Sequence, residues 1–469
     1  MNNLKSIIGI SILLISNPVS AADIVYPKTQ SVIINSPVTF FVGSENPSID
    51  LKINDEPVKI HKSGGFYYPV KLSEGENLFI INNGKDIKKY RITRQKVASA
   101  EAEQNNVINY DNIQVFATKA DNVPLRVDPF DGGINRLQHI EKGIPLNIVG
   151  EYNDFYKVQL ARDDYAWIAK NHLTSISGYN NSPAKIENYI YEETPDKRTF
   201  TLKLNKKVPY ILSETRQYIM KNEDFIYHTN GLDLTVYNIE DLPEGKFDFH
   251  INKTGKLFGY KCYYKNSREL VIEVKNYPNI DKSKPLEGIK ITLDPGHGGD
   301  EYGAVGCLGD KEKDVNLAIS LKLKKYLEDL GAIVYMTRET DIEVSLSERV
   351  KASQNNNSDI FISIHNNALP DSAAESGRSG SSVYYYYPQS KNLAEKILKS
   401  LTCELCMNND KVRQESFAVV RNTESPAVLL EIGYMINPED NAKLIDEDFQ
   451  NKAAQAILHG VENYLNDSE

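Results

Sequence analysis

At 469 residues the chain is long enough for about three or four domains, each able to bury a core of its own. Its 54 Lys and Arg against 64 Asp and Glu leave a formal net charge of −10, which speaks against a nucleic-acid partner needing a basic face. Four cysteines in so long a chain exclude a small disulfide-stapled scaffold, so folding rests on ordinary apolar cores.

The chain opens with Lys5, an apolar run from Ile7 to Ile15, and Pro18-Val19-Ser20-Ala21, with small residues where a signal peptidase cuts. Residues 1–21 are therefore expected to be a signal peptide, removed after Ala21. The run falls short of the roughly 20 apolar residues that a retained anchor needs. No later stretch is apolar enough to span a bilayer, so the mature chain is expected to carry no membrane span. Its expected place is outside the cytoplasm, in the periplasm or at the cell envelope and beyond.

From Ile24 to about Arg94, short β-like runs at Val38 to Val42, Leu51 to Ile53, Phe66 to Leu72 and Leu78 to Ile81 are broken by Gly, Asn and Pro turns. This spacing predicts a small β-sandwich over 22–95. The segment resembles the immunoglobulin-like modules appended to bacterial surface enzymes. Residues 96–111 are polar, without apolar periodicity, and read as a linker. A second β unit over 112–176 contains Val123-Pro124-Leu125-Arg126, Gly143-Ile144-Pro145-Leu146, Tyr156 to Leu160 and Tyr165-Ala166-Trp167-Ile168. Those segments resemble a bacterial SH3-type barrel. The resemblance implies a targeting role, because such modules often bind cell-wall peptide stems. Trp167 is the only tryptophan, and its ordinary use would be to fill the barrel core, with ligand stacking as the alternative.

A second linker, Ser177 to Pro183, leads to a third β unit over 185–278, where Phe200, Leu202 and Leu204 alternate with polar neighbours. Nothing in it is chemically suggestive, and His228 and His250 read as surface or strand histidines. Cys403 and Cys406 form a C-x-x-C with no second pair to complete a zinc site. They read as small residues on a helix face or as one local disulfide. Beyond the polar stretch Asn276 to Pro285 the pattern changes to strands alternating with helices, so 286–469 is expected to be an α/β domain.

In that domain Gly288 to Leu293 reads as a strand and Asp294-Pro295-Gly296-His297-Gly298-Gly299 as the turn after it. His297 thus falls beyond a strand's carboxyl end, where α/β folds gather ligands, with glycines leaving room for a metal and a substrate. A phosphate-cradling loop is the weaker reading, since no helix opens directly after it and the Walker lysine is missing. Glu312 stands ahead of an amphipathic helix through Ile319, Leu323, Leu327 and Leu330 with Gly331 as its stop, and alone would be a favourable dipole partner. Ser345 or Ser347 can cap a helix through Val350 to Gln354. Asp359 to Ile364 is a strand ending at His365, and Ala427 to Leu430 is an apolar strand ending at Glu431. Taken together, two histidines and a glutamate can hold one zinc with a position left for water, while a free carboxylate moves a proton.

Leu293 to Gly299, Lys311 to Leu317, Met336-Thr337-Arg338, Leu346 to Arg349, Phe361 to Ala368 and Leu430 to Tyr434 resemble, in order, the zinc-dependent N-acetylmuramoyl-L-alanine amidases. The resemblance covers essentially all of 288–467. It implies a mixed sheet flanked by helices and a peptidoglycan substrate. The bond to be cut is the amide joining the lactyl group of N-acetylmuramic acid to L-alanine. By the same resemblance His297, Glu312 and His365 are the ligands of one zinc ion, and Glu431 is the catalytic acid or base. Asn366 and Arg338 are weaker candidates for positioning substrate. Asp300-Glu301-Tyr302-Gly303 departs from the family's usual turn, with Tyr302 in place of Pro. Division-associated members can carry a plugging helix after the second histidine's strand. Here the interval from Asn366 to Ser382 is short and rich in Ser, Gly and Asp, so an open site is expected.

Two other readings stand beside this one. An exported zinc hydrolase cutting within the peptide stem would use the same metal chemistry with a different pocket. A wall-binding scaffold with a decayed enzyme domain is opposed by the presence of all four functional groups.

Overall fold

The computed structural model describes residues 22–95, 107–176, 178–179, 182–221, 224–253 and 255–467. The expected signal peptide and residues 96–106 of the expected linker lie outside the described residues. The chain is multidomain, with strands through its N-terminal half and a mixed, helix-flanked sheet at its C-terminal end.

The first unit packs a three-stranded antiparallel sheet, Asp23–Tyr26, Val38–Ser44 and Gly65–Lys71, against a five-stranded sheet built on Gly75–Asn82 and Ile87–Arg94. Phe41, Phe66, Leu51, Ile53, Ile81 and Ile92 fill the space between them. In strand Val38–Ser44 five consecutive residues are buried, Thr39 to Gly43, so both of its faces are covered. An isolated sandwich would leave alternate residues of such a strand in water.

A seven-stranded antiparallel sheet runs from Ile108–Thr118 to Leu173–Ser175. After the polar stretch that follows, a four-stranded and a three-stranded sheet occupy 186–275. Leu125, Ile148 and Ile168 from one side of that stretch and Leu204, Tyr210, Leu234 and Ile272 from the other share one continuous apolar cluster. Glu141 ties the two parts by accepting from Tyr210 Oη at 2.9 Å and from Tyr264 N at 2.9 Å. Trp167 does not fill the core, against expectation. Strand alternation buries Ala166 and Ile168 and turns Trp167 to the other face, half-buried, edge-on to Tyr152 at 6.4 Å.

The last sheet has the order Ile333–Met336, Lys290–Pro295, Ile360–Asn367, Ala427–Tyr434, Ser381–Tyr385, Asn409–Gln414. Its first four strands are mutually parallel, and Ser381–Tyr385 joins antiparallel to Ala427–Tyr434. Helices α1 (Glu312–Asp329), α3 (Lys391–Leu405) and α5 (Glu447–Asn466) bury Ile319, Leu323, Ile397, Leu401, Ile457 and Val461 with Ile291, Ile362, Ile364 and Leu430. Gly460 lets α5 approach α3 closely, since a Cβ there would lie 2.6 Å from Ile397 Cα. Helix α2 (Leu346–Asn355) is capped by Ser345, whose side chain accepts from Glu348 N while Glu348 reaches back, a reciprocal capping box. No helix among the described residues is long and apolar enough to cross a membrane. All four cysteines are free thiols, and Cys406 takes a left-handed conformation at the end of α3.

Candidate active site

Register brings the site together. Strand Ile360–Asn367 lies between Lys290–Pro295 and Ala427–Tyr434, with Ile364 opposite Pro295 and His365 opposite Glu431. His365 and Glu431 are therefore neighbours on adjacent parallel strands, although they stand far apart in sequence. His297 follows Pro295 in a turn where its φ is +59°, a left-handed conformation that a non-glycine residue adopts at some cost. Gly296 permits that turn to pass under His365: a Cβ there would lie 2.1 Å from the imidazole Cε1.

Glu312 is the first residue of α1, yet its carboxylate turns to the histidines instead of capping the helix. His297 Nε2 lies 3.3 Å from Glu312 Oε2, and His365 Nδ1 lies 3.0 Å from Glu312 Oε1. The two imidazoles meet edge to face at 4.9 Å, and ligand atoms of all three residues fall within 4.8 Å of one another. Backbone and amide donors hold the carboxylate: Ala304 N at 2.7 Å, Asn366 N at 3.1 Å and Asn316 Nδ2 at 3.2 Å. Burial alone would raise the Glu312 pKa, but the hydrogen bonds and charges of His297 and His365 hold it well below the usual carboxylate range. Glu431 goes the other way. Burial, reinforced by the negative charge of Glu312, pushes its pKa well up, and its Oε2 is buried with no hydrogen-bond partner.

Two imidazole nitrogens and a carboxylate at this spacing suit a divalent cation of the zinc kind. The unpartnered Glu431 oxygen beside them suits a proton-transfer group aimed at bound reactant. Asn366 Oδ1 is also buried and unpartnered, while its Nδ2 donates to Asn316 Oδ1 at 2.8 Å.

Arg338 does not stand where a substrate could be touched. It is 2% exposed and donates to the carbonyls of Pro295, Gly296, Lys313 and Thr340. Arg349, on α2, makes the matching set: Asp294 Oδ1 at 2.7 Å, Pro295 O at 2.9 Å and His297 O at 2.9 Å. Asp294, fully buried, also accepts from Thr337 Oγ1 at 2.6 Å and Ser363 Oγ at 2.7 Å. These residues fix the His297 turn. Arg349 and Asp294 lie inside the motifs already noted, but their role is missed in the sequence because a buried arginine reads like any polar helix position. A charged residue ending the apolar strand Ile291 to Leu293 was the available signal.

The interval after His365 contains a short 3-10 turn, Asp371–Ser376, and no α-helix among the described residues. Tyr302, the residue replacing the family's proline, packs under two ammonium groups, Lys311 Nζ at 3.9 Å and Lys313 Nζ at 4.9 Å from its ring centre.

Residues 291–463 match the family described as Amidase_3, N-acetylmuramoyl-L-alanine amidase. A probable cell wall amidase LytH of Staphylococcus saprophyticus is 37% identical over 241 residues, covering 49% of this chain and 78% of the relative. A second of that name, from Staphylococcus epidermidis, is 40% identical over 185 residues, 39% of this chain and 60% of the relative. Among solved structures, the catalytic domain of CwlV, an N-acetylmuramoyl-L-alanine amidase from Bacillus (Paenibacillus) polymyxa var. colistinus, is 37% identical. It covers 39% of this chain and 99% of that one, with a TM-score of 0.36.

Proposed function

The chain belongs to the N-acetylmuramoyl-L-alanine amidase family, and from that premise we propose that it hydrolyses the amide between N-acetylmuramic acid and L-alanine in peptidoglycan. His297, Glu312 and His365 hold one zinc ion, and Glu431 moves the proton. The reading rests on one observation above the others: the three donors converge within 4.8 Å, beside a buried, unpartnered Glu431 oxygen one strand away.

Zinc held there would polarise the scissile carbonyl and bring the pKa of a water toward neutrality. Glu312 is suited to the ligand role because its two histidines keep it ionised. Glu431 accepts the proton that the attacking water loses and returns it to the departing amino nitrogen of L-alanine, so the carbon–nitrogen bond breaks with charge balanced. Asn316, Asn366 and Ala304 fix the Glu312 oxygens, and Arg338 and Arg349 fix the His297 turn. The expected place of action is the cell wall, after export, with the SH3-like unit over 112–176 as a candidate wall-binding module.

The test is digestion of purified peptidoglycan with and without a chelator, read by mass spectrometry. Intact stem peptides beginning with L-alanine, released only when metal is present, support the amidase. Fragments cut within the stem would replace it by the alternative zinc hydrolase.

A further inference from the structure

Three loops lead into or out of the elements that carry Glu312, His365 and Glu431, and the N-terminal sandwich touches all three loops. The loop before Glu312 carries Cys307, fully buried, which packs so close to the sandwich that a Cβ on Gly65 would lie 2.9 Å from Cys307 Cβ. The same Cβ would lie 3.5 Å from Pro438 Cβ, at the end of the loop that follows Glu431. The loop after His365 is held most directly. Asp371 accepts from Thr39 Oγ1 at 2.6 Å and from Tyr26 Oη at 2.8 Å, and Tyr67 Oη donates to Ala374 O. Burial, with the charge of Asp371 beside them, pushes the Tyr26 and Tyr67 hydroxyls up to about 12, so both stay protonated donors at any working pH.

Apolar packing closes the same contact. Phe40 and Val42 form one buried cluster with Leu369 and Ala374 after His365, Tyr434 and Ile436 after Glu431, and Cys307 before Glu312. Tyr26, Phe40 and Tyr67 line it with mutually tilted rings, their centres 4.9 and 5.1 Å apart. The doubly buried strand Val38–Ser44 is thereby explained: Phe41 serves the sandwich's own core, while Phe40 and Val42 serve the catalytic domain. A module tethered only as a spacer or a wall anchor would have no use for a second apolar face, which is costly to expose.

We propose that the N-terminal sandwich is a built-in buttress of the catalytic site, with Asp371 as a positioning residue that sets the loops leading to Glu312 and away from His365 and Glu431. The proposal rests on the amidase reading for its kinetic consequence but not for its mechanical one. Asp371 touches neither the metal ligands nor the reacting atoms. It acts by locking the turn that continues the His365 strand onto a second domain. Small displacements of reacting groups are expensive in rate, so a loosened rim should show in turnover before it shows in folding.

The test uses the full chain carrying Asp371→Ala, with Asp371→Asn as the conservative variant that keeps an acceptor for Thr39 and Tyr26. Three readouts are compared: zinc retention against a competing chelator, hydrogen exchange of residues 303–311 and 366–380, and kcat and KM on a soluble muropeptide. Asp371→Ala is expected to speed exchange in both segments, including the one it does not touch, to weaken zinc retention, and to lower kcat by about tenfold or more. Asp371→Asn should restore kcat to within about threefold. Faster exchange confined to 366–380, with zinc retention and kcat unchanged, would overturn the buttress. If the wild-type chain released no stem peptide, the amidase reading would fall, while zinc retention and exchange would still decide the buttress. Should Asp371→Ala not fold, Gly65→Ala carries the test from the sandwich side. It should weaken zinc retention by crowding Cys307, and Cys307→Gly should restore it; unchanged retention in Gly65→Ala overturns the proposal.

Discussion

Arg349→Met removes the guanidinium that joins α2 to the His297 turn. In the folded chain Arg349 is 4% exposed and Asp294 is fully buried, so the substitution leaves a carboxylate without its hydrogen-bonded counter-charge in a dry interior, with Arg338 as the remaining cation acting on it. Losing one partner of such a pair costs about 3–5 kcal/mol. Thr337 and Ser363 continue to donate to Asp294, which places the expectation at the lower end, about 3 kcal/mol. For a domain of this size that corresponds to a melting temperature lower by about 6–12 °C. Among the described residues every α-helix lies between Glu312 and Asn466, so ellipticity at the helix band follows this domain. Arg349→Lys should recover little, because a single ammonium cannot span Asp294, Pro295 and His297 together. The double variant Arg349→Met/Asp294→Asn should be more stable than additivity predicts by about 2 kcal/mol, since the stranded charge is gone. A melting temperature within about 2 °C of wild type for Arg349→Met, or strict additivity in the double variant, would show that the Arg349–Asp294 pair does not hold this turn.

Glu431→Gln should retain zinc while losing turnover by about a hundredfold or more, whereas His365→Ala should lose both; metal analysis with stem-peptide release separates them, and an active Glu431→Gln protein removes the proton-transfer role. Gly303→Ala places a Cβ 2.3 Å from Glu312 Oε2 and 2.6 Å from His297 Cδ2, so zinc affinity should fall sharply. Gly309→Ala is the control, with a comparable positive φ and nothing within 4 Å, expected to cost about 1 kcal/mol of stability and no metal. His139 titrates in the opposite sense to a salt-bridged histidine. Burial, then the charges of Arg421, Arg136 and Arg126, lowers its pKa from 6.5 to about 4. Its stability contribution is therefore whole above pH 6.5 and lost as the pH falls toward 4, in total about 3 kcal/mol. Following Trp167 emission, His139→Gln should flatten the acid limb of the unfolding profile; parallel curves would contradict the assignment.

Much of the catalytic domain was legible in the chain because its signals are local. Apolar strands ending in His365 and Glu431, the glycine turn around His297 and the amphipathic α1 each announce themselves within a few residues, and their order matches one family. Convergence of the four groups was not local. It depends on Lys290–Pro295 and Ala427–Tyr434 flanking the same central strand, which places His365 opposite Glu431. Helix-start chemistry pointed Glu312 at a dipole, and only packing shows it turned to the histidines.

The kind of chemistry is written along the chain: donors suited to zinc, a lone acid, and strand ends to carry them. What holds that chemistry in place emerges only on folding. Buried Arg338 and Arg349 are ordinary polar residues until their carbonyl partners are known, because a guanidinium is satisfied by atoms distant in sequence. Trp167 sits on the outer side of its strand because alternation, not size, chooses which face is buried. The run Val38 to Val42 shows a strand without showing its second partner, since burial on both faces needs a neighbour that only folding supplies.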